Sequence, residues 1–187
     1  MLAVPHLELR DGDLLLRPPR REEAGLYARW WADPEVQFGF CSEGRTAEEI
    51  RDAFPEMEAE ARDIGHWIEF VIELDGRPGG YIWLSRWDLD LAECEMNILI
   101  GEPDLRGHGL ARRAIRLLAA WAFPTMGLKR ILLVPRDDHI PALCCYRSAG
   151  ARLGEVRPDV VLWHGEAVCF RETYLLPEDA APTAASS

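Results

Sequence analysis

The feature that most constrains how this chain can fold is an apolar run, Ile98-Leu99-Ile100, followed by Leu105-Arg106-Gly107-His108-Gly109-Leu110-Ala111-Arg112-Arg113. Apolar residues then recur at helical spacing, at Ala111, Ile115, Leu118 and Ala122. Run and spacing predict a strand, a glycine turn and a helix from Ala111 to Phe123. A helix begun in this way leaves its first backbone N–H groups without partners, at the positive end of its dipole. Gly107 and Gly109 remove the side chains that would hold an anion away from that backbone. The stretch points to an α/β fold with an anion site at a strand-to-helix turn.

The charges around the turn sharpen this reading. From Leu105 to Arg136 there are seven basic residues (Arg106, Arg112, Arg113, Arg116, Lys129, Arg130, Arg136) and no acidic one, in a chain of net charge −11. Arginines in the first turn of a helix oppose its dipole, so Arg112 and Arg113 are unfavourable unless an anion sits beside them. The expected ligand at the turn is a polyanion.

Composition excludes several classes. A chain of 187 residues, 48% hydrophobic and 28% charged, is the size and make-up of one globular domain. No apolar run is long enough for a bilayer, and no basic-then-apolar leader opens the sequence, so a soluble cytoplasmic protein is expected. The five cysteines (41, 94, 144, 145 and 169) form no C-x-x-C pair and are odd in number, which suits reduced thiols. No His and carboxylate spacing resembles a metal site. Net acidity argues against duplex nucleic acid as a partner and is compatible with a cationic substrate.

Read in order, Leu14–Arg17 is a first strand after an Asp11-Gly12-Asp13 turn, and Arg20 to Ala32 a helix that Asp33-Pro34 ends. Thr46-Ala47-Glu48-Glu49 is a capping-box start for a second helix running to about Ile64, with Pro55 inside it. Strands follow over 67–74, 80–86 and 93–100, with Asp75-Gly76 as a hairpin turn. After the helix to Phe123 come a strand at 130–134, a short helix from Pro141 to Ala149 stopped by Gly150, and strands at 152–156 and 168–175. The expected architecture is a single α/β domain over residues 1–178. It has a mixed sheet of about seven strands with about four helices on its two faces, and a disordered tail over 179–187.

Two motifs in this order resemble a family. Arg106-x-x-Gly109-x-Ala111 is similar to the Arg/Gln-x-x-Gly-x-Gly/Ala signature of the GNAT-type N-acetyltransferases. His139-x-x-Ala142-x-x-x-Tyr146-x-x-x-Gly150-Ala151 resembles that family's Asn-x-x-Ala-x-x-x-Tyr-x-x-x-Gly-Phe, with His139 in place of Asn and Ala151 in place of Phe. Element order resembles the family fold from about residue 13 to 176. The opening Leu16-Arg17-Pro18-Pro19-Arg20-Arg21-Glu22-Glu23, with Trp31 to Val36, looks like the branch holding ribosomal-protein N-terminal and some aminoglycoside acetyltransferases. The resemblance implies acetyl-CoA as cosubstrate and no metal. It places the pyrophosphate at Arg106, Gly107, His108, Gly109, Leu110, Ala111 and Arg112. The rest of the cofactor would lie along Leu99, Ile100, His139, Ala142 and Tyr146. A homodimer is compatible with it.

Acetylating an amine needs a route for the amine proton, polarisation of the thioester carbonyl and a donor for the departing thiolate. Glu93, Glu95 and Asn97 alternate on one strand face. Related enzymes carry a glutamate at the position of Glu95, which makes it the candidate base; another carboxylate or water are the alternatives. Tyr146 is the candidate acid, one helix face with Ala142. Trp31, Trp83 and Trp87, near acids such as Glu43, Asp88 and Asp90, are candidates for holding a cationic amine. The acceptor is a protein N-terminus or a small polyamine. The alternative is a module that binds acyl-CoA without turnover.

Overall fold

A computed structural model describes residues 7–60 and 67–180. Eight strands form one sheet: β1 (Leu9–Asp11), β2 (Leu14–Arg17), β3 (Trp67–Leu74), β4 (Arg77–Asp88), β5 (Glu93–Ile100), β6 (Arg130–Leu133), β7 (Arg152–Trp163) and β8 (Glu166–Leu175). Their order across the sheet is β1-β2-β3-β4-β5-β6-β8-β7. Every neighbouring pair is antiparallel except β5–β6. That parallel pair needs a crossover, supplied by α4 (Leu110–Met126). The other helices are α1 (Ala24–Trp31), α2 (Pro34–Phe40), α3 (Ala47–Glu60) and α5 (Ile140–Ala149). No helix among the described residues is long and apolar enough to cross a membrane.

Alternation along the central strands builds two cores. Ile68, Phe70 and Ile72 of β3, Ile82 and Leu84 of β4, and Cys94 and Met96 of β5 meet Ala114, Ile115, Leu118 and Ala122 of α4 on one face. The intervening residues, Val71, Tyr81, Trp83 and Leu99, meet Ala24, Tyr27 and Trp30 of α1 on the other. Burial on both faces explains why these strands read as nearly unbroken apolar runs. Gly101 ends β5 beneath the Trp30 indole. A Cβ there would lie 2.1 Å from the ring, so only glycine lets the chain pass. Trp30 Nε1 donates to Glu102 at 2.8 Å just beyond it.

The sheet has one strand more than expected and the helices one more, each for a local reason. β1 is only three residues long, too short and polar for a strand signal, and pairs with β2 from Leu9↔Leu16 to Asp11↔Leu14. Asp33-Pro34 ends one helix and also starts the next. The Asp33 carboxylate accepts from the Glu35 N–H, and Pro34 sits where a missing N–H costs nothing. α4 runs through Pro124 to Met126 and is closed by Gly127 at φ +66°. β4 begins at Arg77, directly after the Asp75-Gly76 turn. β7 and β8 extend to a His164-Gly165 turn, forming a long arm with two register shifts in β7. Residues 179 and 180, assigned to the expected tail, pack on the domain. Asp179 and Glu178 pair with Arg152, and Ala180 is buried against the first core; residues 181–187 lie outside the described residues. The part of the expected second helix beyond Glu60 also lies outside them.

β5 and β6 pair over only three rungs, Glu93↔Arg130, Cys94↔Ile131 and Glu95↔Leu132. Beyond Glu95 the two strands part, and a wedge opens between the end of β5 and the chain at Val134-Pro135. α4 and α5 begin beside this wedge.

Candidate active site

The wedge is the mouth of a cavity of about 900 Å³. One wall is the turn into α4. Gly109, the residue before the helix, has φ +81° and no side chain to cap the first N–H groups. The first backbone bond of the turn closes only at the Arg113 N–H, donated to Gly109 O at 3.1 Å. The donors of Leu110, Ala111 and Arg112 therefore face a seat for anionic oxygens. A Cβ at Gly107 would meet nothing within 4 Å, so the space over the turn is open. The residues fit a pyrophosphate.

The basic run divides in the structure. Arg113 is neutralised within the protein. Its Nε lies 3.2 Å from Asp11 and its Nη2 2.5 Å from Asp13, both on the β1–β2 hairpin. The expectation that Arg113 awaits an external anion is corrected: the anion is this hairpin. Arg106 is likewise held by Asp33 and Glu35, each at 2.7 Å, and donates to Ile100 O at 2.8 Å. It clasps α2 to the end of β5, so its guanidinium charge is spent inside the fold while its backbone shapes the turn. Arg130 meets Glu93 and Glu172, and Arg136 meets Asp138. Arg112 lines the cavity, and no carboxylate of the described residues lies within salt-bridge reach of it.

Of the thirteen residues that the sequence assigned to cofactor or catalysis, the cavity gathers Glu95, Leu99, Ile100, Arg106, Gly107, Gly109, Leu110, Ala111, Arg112, His139, Ala142 and Tyr146. His108 is exposed and is not among the residues that line it. The three tryptophans are not there either. Trp83 is buried in the second core and stacks on Trp67 and Tyr81, Trp31 packs beside it, and Trp87 packs on the first core. They lie on or near the sheet at positions whose side chains serve the interior, and large aromatics go inside when the fold allows it.

Glu95 is 8% exposed yet reaches the cavity. Asn97 Nδ2 donates to Oε1 at 3.2 Å, and Arg86 Nη1 to Oε2 at 3.3 Å. Tyr146, one turn after Ala142 on α5, is half-buried. Burial, with Cys145 and the Glu95 charge adding to it, holds its phenol above the usual range, so it stays protonated. No protein group among the described residues hydrogen-bonds its hydroxyl. His139 starts α5 with its ring edge-on to Phe38, centroids 5.6 Å apart, and within 3.2 Å of where a Gly39 side chain would begin. Burial lowers its pKa, so the ring is neutral, as an asparagine would be.

The cavity also holds residues that sequence reasoning missed: Gly39 and Cys41 at the end of α2, Arg86 in a bulge of β4, and Arg157, Val161 and Phe170 of the β7–β8 arm. Arg86 has φ +50°, an unusual conformation for a residue with a side chain, and nothing local announces it.

A parallel strand pair that splays beside a helix N-terminus, with a tyrosine on the next helix, is the arrangement that the resemblance to acyl-CoA-dependent transferases of the GNAT type led one to expect. The chain belongs to that family: residues 13–152 match the acetyltransferase (GNAT) domain. It is 31% identical over 145 residues to spermidine N(1)-acetyltransferase of Escherichia coli, covering 72% of this chain and 70% of that one. Solved structures agree on the fold. A ribosomal-protein alpha-N-acetyltransferase (RimL) with coenzyme A superposes at TM-score 0.82, 12% identity, over 94% of this chain and 100% of that one. Spermidine N-acetyltransferase from Vibrio cholerae, with coenzyme A and spermine, superposes at 0.77, 17% identity, over 91% and 99%. The chain is an acetyl-CoA-dependent N-acetyltransferase.

Proposed function

We propose that the protein transfers the acetyl group of acetyl-CoA directly to a primary amine, with Glu95 as base and Tyr146 as acid. The observation that carries this reading is that both side chains line one cavity with the α4 turn, at the rung where β5 and β6 part. The turn binds the pyrophosphate through its N–H groups and Arg112, and Ala142 leaves room for the pantetheine arm. Bound there, acetyl-CoA supplies an activated acyl group. Glu95 accepts the amine proton, directly or through water, since an amine with a reference pKa near 10 arrives mostly as ammonium. Tyr146 donates a hydrogen bond to the sulfur as negative charge builds on it. With the phenol held high and a thiol near 8.5, stabilising the thiolate matters more than completing proton transfer.

Cys94 is sealed in the first core, where burial pushes its thiol up to about 12, which removes it as an acyl carrier. The acceptor is a protein N-terminus or a small amine. The relatives named above include enzymes for both kinds. Release of the coenzyme A thiol across a panel of amines, with the acetylated product identified by mass, tests the reading. One thiol per acetylated amine is expected. Tight coenzyme A binding with no transfer to any amine would mean a binding module instead.

A further inference from the structure

The cavity is basic in an acidic protein. Its lining carries Arg86, Arg106, Arg112 and Arg157 against Glu35 and Glu95, while the chain as a whole has a net charge of −11. Two of these arginines are accounted for: Arg106 is bound by Asp33 and Glu35, and Arg112 stands at the phosphate seat beside Gly109. Arg86 and Arg157 are left over, and both line the same cavity as Gly39 and Phe40 of α2. Arg157 follows the Val156↔Arg171 rung, where the β7–β8 register shifts, and lines the cavity together with Phe170. Phe170 bridges to Arg136, whose guanidinium stacks 3.8 Å from the Phe38 ring of α2. Arg157 is half-buried, and no carboxylate of the described residues lies within 4 Å of it. Burying a cation part-way without a partner is unfavourable, so an anion is expected from outside.

Arg86, on β4, is only loosely held. Its contact with Glu95 is long, 3.3 Å, where Arg17, Arg106 and Arg130 hold carboxylates at 2.6–2.7 Å. Its side chain is 74% exposed and its backbone sits at φ +50° in the β4 bulge. Strain of this kind persists where the surrounding structure holds it and clusters where ligands are gripped.

Resting on the acetyl-transfer reading, we infer that the acceptor is a small amine carrying a carboxylate or phosphate group, which Arg157 and Arg86 hold while Glu95 faces the amine. The anion draws Arg86 off Glu95 Oε2, and that oxygen then accepts the amine proton. A polyamine brings only positive charge to these two arginines and is disfavoured by like-charge repulsion.

Matched acceptors test this: an α-amino acid against its carboxamide, an aminoalkyl phosphate against its parent amino alcohol, and spermidine, with rates expressed per free amine. The anionic member of each pair should have the higher kcat/KM by roughly 10- to 100-fold, the factor a hydrogen bond between charged groups supplies. Whether the carboxylate or the phosphate pair shows the larger ratio identifies the anion. Arg157→Gln should bring that ratio close to one through KM for the acceptor, with KM for acetyl-CoA moved less than about twofold. Ratios of one in the parent, a preference for spermidine, or an Arg157→Gln defect confined to acetyl-CoA would each overturn the inference. Calorimetric binding of the same pairs to the coenzyme A-saturated protein reads the preference without turnover. A preference there with no acetylation refutes the transfer reading alone, and acetylation without a preference refutes the anionic acceptor alone.

Discussion

The two ends of the cavity are built on different plans. The end we propose for the phosphates is made by backbone: Gly107, Gly109 and the open N–H groups of α4, within a handful of consecutive residues. The end we propose for the acceptor is made by side chains from separate elements, with Arg86 on β4, Glu95 on β5, Phe40 and Cys41 at α2, and Arg157 on β7. A site made of local backbone depends on a few conformations that no substitution elsewhere can supply. A site made of converging side chains can lose or exchange one member and keep its shape. The first should fail abruptly on a single change, and the second should change its rates and preferences by degrees.

The sharpest break is expected at Gly109. Its φ of +81° resists any branched side chain, and valine would also crowd the seat over the turn. Gly109→Val should weaken coenzyme A by roughly 1,000-fold or more, the loss of two or more hydrogen bonds to charged oxygens. The thermal stabilisation by coenzyme A, which should rise with its concentration in the parent, then disappears. Retention of parental stabilisation would remove the turn from the phosphate site. Next comes Tyr146→Phe, which keeps the ring and removes only the donor. Turnover should fall roughly 10- to 1,000-fold with acetyl-CoA affinity little changed, because the hydroxyl acts mainly in the transition state. Parental turnover on a true acceptor would exclude Tyr146 from the chemistry.

A more graded response is expected from Glu95→Gln. The loss should be roughly 10- to 100-fold at low pH, where deprotonating the ammonium limits the rate, and should shrink as pH approaches the amine pKa. An equal loss at every pH would mean that Glu95 only positions the substrate.

The smallest effect on the cavity is expected from Glu69, which sits in neither end. It lies 6% exposed on β3 between aromatic rings, with Trp67 Nε1 donating to one oxygen at 3.0 Å and the other oxygen unpartnered. Burial pushes its carboxyl from 4.5 up to about 7. The folded state thus keeps this proton where the unfolded state has lost it. Its contribution to stability is full below pH 4.5 and is lost as pH rises toward 7. Glu69→Gln should gain on the parent by on the order of 2–3 kcal/mol between pH 4.5 and 8 in urea unfolding. A difference between parent and variant that is flat with pH would show that Glu69 is not buried as a titrating acid.

The same contrast sets how much the sequence revealed. The turn before α4 and the placement of Ala142 and Tyr146 on one helix face beside it were legible because each depends on spacing within one segment. The strands at 67–74, 80–86 and 93–100, in order with the helices on either side of them, gave the mixed sheet for the same reason. What was not legible depends on distant partners. Arg106 and Arg113 read as free cations because Asp33, Glu35, Asp11 and Asp13 are remote in sequence. The tryptophans read as an acceptor lining because aromatic content does not say which face of a strand meets a helix; Trp83 meets one and is 6% exposed. Arg157 carried no signal, since only the long arm of β7 and β8 brings it to the cavity. Asp33-Pro34 read as a stop because the start it also provides needs residues that follow it to be helical.

The claim that joins the two ends is that the thioester lies between them, with Tyr146 at the sulfur and Glu95 across from it. A crystal structure with coenzyme A bound tests it most directly. The account predicts pyrophosphate oxygens on the N–H groups of Leu110 to Arg112, and the sulfur within about 4 Å of the Tyr146 hydroxyl, the reach of a hydrogen bond to sulfur. A pyrophosphate bound away from the turn, or a sulfur beyond reach of Tyr146 and buried on the far side from Glu95, would contradict it.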